Sequence, residues 1–150
     1  MPSFKIVIRP VILLLAGSAC LAAAATAGPL LSKSHQSGFT FPHSSVQCEL
    51  YSDRIVITRD VDGISTVAET PITLTGDIGS MIAQAKCGKT EGQCNIADIA
   101  TTTYLIPAEH SEATVLLKLD CGNMPDQGET NNSPAARELV TVLDLNCPSP

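Results

Sequence analysis

The sequence predicts a mainly β fold on the α+β borderline: an antiparallel sheet or sandwich of about six strands with one principal α-helix near residues 77–86. Three observations predict it. Alternating or β-branched runs recur from Val46 to Cys147, separated by turn residues; Asp62-Gly63 supplies the residue pair of a tight hairpin; and the spacing turns helical from Asp77.

The strands follow in order. Val46, Cys48 and Leu50 alternate through VQCELY, and the short Ser52-Asp53 link leads into the β-branched run Arg54–Val61. Asp62-Gly63 reverses the chain into Ile64–Thr75, where Pro71 suits an edge or a bend. Residues 101–107 form a further strand and AEHSE the turn after it. From Ala113 to Cys121, Val115, Leu117, Leu119 and Cys121 are expected inward. Residues 138–147 read as a last strand, with Leu139, Thr141, Leu143, Leu145 and Cys147 on one side.

The helix is read from Ile78, Met81, Ile82 and Ala85, which form an apolar stripe at i, i+3, i+4 and i+7. Asp77 or Thr75 caps its start and Gly88 lies just past its end. Ser133-Pro134-Ala135-Ala136 adds one helical turn, with Ser as cap and Pro in the first helical position.

The amino terminus carries an address. Lys5 and Arg9 precede the apolar run VILLLAGSACLAAAA, and Ala25-Thr26-Ala27 offers a small-residue cleavage site, so residues 1–27 read as a secretory signal peptide. The run is too short and too alanine-rich for a membrane-spanning helix, and no stable membrane span is expected in the mature chain. Cys20 in AGSAC gives a minor alternative, a lipoprotein anchor, weakened by Gly17. Residues 28–45, rich in Ser, Gly and Pro, are expected as an extended arm, and 46–150 as a single β-rich, disulfide-bonded domain. The expected location is periplasmic or extracellular.

Cleavage removes two cations and takes the net charge from −6 to −8. No basic cluster remains to meet nucleic acid or an anionic membrane. The aromatics left, Phe39, Phe41, Tyr51 and Tyr104, are too few for a base-stacking platform.

Cys48, Cys87, Cys94, Cys121 and Cys147 stay in the mature chain, and in an exported protein disulfides are the default. Five is odd, so at most two internal bridges form and one thiol is left over, expected buried. Were 113–121 and 138–147 an antiparallel hairpin, Cys121 and Cys147 would sit at opposite ends, which makes Cys48 the expected partner of one of them.

The octet AQAKCGKT, residues 83–90, fits the loose phosphate-loop pattern. There, however, a strand precedes the glycine turn and a helix follows it, so that helix N–H groups meet the phosphate. Here a helix runs into Cys87-Gly88 and presents its negative end. Nucleotide binding is therefore not expected. A Cys87–Cys94 bond would instead close CGKTEGQC into a small loop displaying Lys89, Thr90, Glu91 and Gln93, a candidate binding surface stiffened in advance.

Other constellations are poorer. His35 and His43 could meet as a surface metal site, yet neither has ligand-like spacing, and His110 stands apart. Ser80 lacks a nucleophile frame. Arg59-Asp60-Val61-Asp62-Gly63 lacks the later ligands of a calcium loop and reads as a hairpin turn, and the loop Asp126–Asn132 could hold a calcium ion through Asp126 and Glu129 but reads more commonly as a solvated polar loop. No catalytic residue, metal or cofactor is expected. The function class expected is an exported binding or structural protein, an interaction or inhibitor-type module with a protein partner. Two alternatives stay open: a secreted hydrolase or metal-dependent enzyme assembled only in three dimensions, and a surface or pilus-like subunit completed by strand exchange.

Overall fold

The structure, a computed structural model, describes residues 28–38, 41–94, 100–108, 111–119 and 128–148. The signal-peptide reading, His110, Cys121 and Asp126 lie outside the described residues.

Eight strands form a single antiparallel sheet: β1 (Leu31–Gln36), β2 (Ser44–Leu50), β3 (Arg54–Val61), β4 (Ile64–Pro71), β5 (Thr90–Gln93), β6 (Thr101–Ile106), β7 (Thr114–Leu119) and β8 (Gly128–Asn131). Their spatial order is β4-β3-β2-β1-β6-β7-β8-β5. Helix α1 (Ile78–Lys86) follows β4, and α2 (Pro134–Asn146) ends the fold. The two helices pack on each other and against β1 and β7.

Local chemistry explains most of this. Asp62 and Gly63 both have positive φ, 52° and 81°, the geometry of a two-residue hairpin whose twist matches its strands. The Asp77 side chain accepts from the Ser80 N–H at 3.0 Å and caps α1 as expected. Pro134 occupies the first turn of α2.

The core lies between the sheet and the helices. Leu31, Leu50, Ile106 and Leu116 from the sheet meet Ile78 and Ala85 of α1 and Ala135, Ala136, Leu139 and Leu143 of α2, all buried. Burying one such leucine stabilises the fold by about 1.5–3 kcal/mol. The register lays a mostly polar row across the other face: Val67, Thr58, Gln47, Ser34, Thr103, Lys118 and Glu129 stand in line across seven strands. One face is thus packed and the other wet, the usual division in an antiparallel sheet.

Four expectations are corrected. Residues 138–147 are not a strand: 138–146 belong to α2 and Cys147 ends it. The buried set Ala135, Ala136, Leu139 and Leu143 recurs at i, i+1, i+4 and i+8, a helical stripe, and Leu145, inward in the strand reading, is 80% exposed. The single turn expected at 133–136 is the start of that helix.

On β7 the inward residue is Leu116, while Leu119 is 40% exposed. The register shifts between Tyr104 and Leu105, whose partners are Leu117 and Val115, so Leu116 is the extra residue of a bulge. The segment 28–45 is no outlying arm, because its residues 31–36 are β1, paired on both sides. Finally, β5 and β8 are short polar strands that raise the count from about six to eight.

Candidate functional site

The expected binding loop is a strand. Thr90, Glu91 and Gln93 lie on β5, exposed, and pair with β8. Lys89 is tied by its N–H to Asn132 Oδ1 at 3.0 Å and by its carbonyl to the Asn132 N–H at 3.0 Å; Asn132 Nδ2 also donates to Glu91. Cys87 and Cys94 are both disulfide-bonded. The four-residue strand β5 lies between them. Gly88 is required for space, because a Cβ there would collide with the side chain of Asn131. Lys89-Thr90 lead from helix into strand, the reverse of a phosphate loop.

The histidines occupy separate settings. His35 Nδ1 lies 2.9 Å from Thr102 Oγ1, whereas the His43 ring packs against Phe41 and its backbone N–H reaches Asp62. Among the described residues no group of three or more His, Cys, Asp or Glu could hold a metal ion. Ser80 sits in the first turn of α1, and its hydroxyl accepts from Gln84. Glu129, on β8, lies 4.0 Å from Lys118.

Sequence reasoning missed a buried cluster at the centre of the sheet. Cys48, Lys33 and Tyr104 stand side by side on β2, β1 and β6. The last turn of α2 comes down on them. Asp144 Oδ1 accepts from Lys33 Nζ and from the Tyr104 hydroxyl, each at 2.8 Å, and Cys147 bonds to Cys48.

Lys33 is only 7% exposed, so its charge depends on Asp144, which is 48% exposed. Asp144 in turn stands at the end of a helix, where the dipole disfavours a carboxylate, and the ammonium offsets this. Both donors use the same oxygen, so the cluster works as a fastening between helix and sheet.

No protein family, curated protein or solved structure matches the chain. Function therefore has to be read from the surface. Two hollows stand out, one of about 100 Å³ lined by Leu116, Leu117, Thr130, Arg137 and Val140, the other of about 210 Å³ beside Gln36, His43 and Asp60. Both are smaller than the roughly 300–1,000 Å³ of pockets that enclose drug-sized ligands.

The edge of the sheet offers more. Strand β4 is exposed along all eight residues, with Ile64 72% and Val67 68% accessible. The Ile72 N–H donates to the Asp53 carbonyl at 3.0 Å, in register with the β3–β4 ladder. That bond fixes the alternation: Ile64, Thr66, Ala68 and Thr70 turn their backbone groups toward β3, and Ser65, Val67 and Glu69 turn theirs outward. Pro71 falls at an outward position, where its missing N–H leaves the β3 ladder intact.

Close by, Arg54 bridges Asp53 at 3.0 Å and Glu69 at 3.2 Å and lies over the Tyr51 ring. Desolvation and the hydrogen bond to Glu49 push the Tyr51 phenol above its ordinary value.

Proposed function

We propose that the chain is an exported binding module that recognises a protein partner through backbone pairing at the β4 edge. The observation that carries this reading is the outward row of Ser65, Val67 and Glu69 on an uncovered eight-residue strand, since such an edge is a ready template for an added strand. Export is supported by the basic-then-apolar amino terminus and by the Cys48–Cys147 bond, which belongs to oxidising compartments.

Two measurements test the two parts. Amino-terminal sequencing of the protein recovered outside the cytoplasm should begin at Gly28; recovery of the intact chain from the cytoplasm would contradict export. A photo-crosslinking side chain at position 67, introduced in the cells that make the protein, should give a discrete adduct, whereas the same probe at Leu145 on α2 should not. Equal adducts at both positions, or none at either, would contradict edge recognition.

A further inference from the structure

We infer that the partner of β4 is β4 of a second copy, paired antiparallel about a two-fold axis through Val67. This rests on the edge-recognition reading and narrows it to one occupant.

The chemistry of the strand selects both occupant and register. The usable row is Ser65, Val67 and Glu69, because Pro71 has no N–H to offer. Val67 is the middle of that row, so an axis through it lets all three residues both donate and accept, Val67 with Val67 and Ser65 with Glu69 of the other copy. The side chains agree. On the wet face the two exposed Val67 side chains meet on the axis, and on the other face exposed Ile64 stands opposite Thr70.

Glu69 is the one charged residue on β4 and is paired with Arg54. In this register it faces Ser65 and never its own copy. An axis through Glu69 would oppose like charges, and one through Ser65 would carry the row into the turn at Gly63; each loses contacts that the Val67 axis keeps. The contact is a closed two-fold one, so it ends at a dimer with an extended sheet and does not propagate. Its small area and the net charge of −8 on each cleaved copy make it weak and strengthened by salt.

Sedimentation equilibrium of the exported protein over rising concentration, at low and moderate salt, tests the inference. The expected result is a reversible monomer–dimer equilibrium, tighter at moderate salt. Val67→Pro should weaken it at least about tenfold, because each copy loses an N–H that points only outward. Circular dichroism of V67P should match the parent, since that N–H serves no bond within the chain.

Register is checked by oxidation. V67C should form a symmetric intermolecular disulfide, and E69C, which faces Ser65, should not. A chain that stays monomeric at every concentration, a dimer that V67P leaves unchanged, or equal crosslinking of V67C and E69C would each overturn the inference. A position-67 photo-adduct whose mass is not that of two copies would overturn self-pairing while leaving edge recognition standing.

Discussion

Strand β4 runs eight exposed residues at one edge of the sheet, and β5 runs four at the other. Both are edges, yet they are finished differently. Gly92 in β5 sits at a φ of 100° with no room for a Cβ against Gly128, and the strand is hooked to β8 and to Asn132. This edge is short and kinked, one of the ways proteins keep a sheet from growing. β4 has a regular register over its whole length and two exposed apolar side chains, held back only by Glu69 and the terminal Pro71. A protein that blunts one edge and leaves the other long is asymmetric where asymmetry matters for pairing.

The same contrast separates the helix-covered centre from the β4 rim, and substitutions should reveal it as a gradient. The largest effect is expected at the Cys48–Cys147 bond, which closes a loop across a sequence separation of 99. Replacing both cysteines by Ala should cost about 4–5 kcal/mol of unfolding free energy in a urea titration. A loss below about 1 kcal/mol would mean that α2 is held without it.

Next comes Leu139→Ala, a cavity beneath α2 that should cost about 2–5 kcal/mol in the same titration. Asp144→Ala strands the ammonium of Lys33. Because Asp144 is about half exposed, the expected loss is only about 1–2 kcal/mol, and adding Lys33→Met should recover part of it. At the rim, Val67→Thr should change monomer stability by less than about 0.5 kcal/mol. A rim substitution as costly as the core one would erase the contrast.

The smallest effect concerns pH. The folded state favours the protonated Tyr51 phenol, so its contribution is present below the ordinary value of 10.0 and is lost as pH rises through the higher folded value. Tyr51 ring resonances followed by NMR should therefore titrate above 10.0, and Glu49→Gln should lower that midpoint.

Where the sequence carries a local signal, it predicts the structure. The Asp62-Gly63 turn, strand β3, the Asp77 cap and the stripe of α1 are all legible because each depends on neighbours in the chain. Helix α2 was hidden by its composition. Val140, Thr141 and Val142 are β-branched, and leucines at 139, 143 and 145 imitate alternation, so only the environment decides that Leu143 is buried and Leu145 is not. Strand β1 reads as a polar arm because Ser32, Ser34 and Gln36 face the wet side or its margin, and its place at the middle of the sheet comes from long-range pairing with β2 and β6.

The Cys48–Cys147 pairing shows the same limit from another side. Cys48 was expected as the partner of Cys121 or Cys147 on a hairpin that does not exist; the bond forms because α2 sets Cys147 above β2. At the candidate site, Lys89–Gln93 were legible as exposed residues, but not as an edge strand, since their partner β8 lies about forty residues away. The open row on β4 follows from register and becomes visible only with the sheet assembled.

Residue-resolved amide hydrogen exchange across β4, in dilute and in concentrated protein, tests the central claim most directly. The account predicts that in dilute solution Ser65, Val67 and Glu69 exchange freely while Thr66, Ala68 and Thr70 are protected by β3, and that concentration slows the first set alone. Protection of Ser65, Val67 and Glu69 in the dilute monomer would mean that the edge is already covered, and would contradict it.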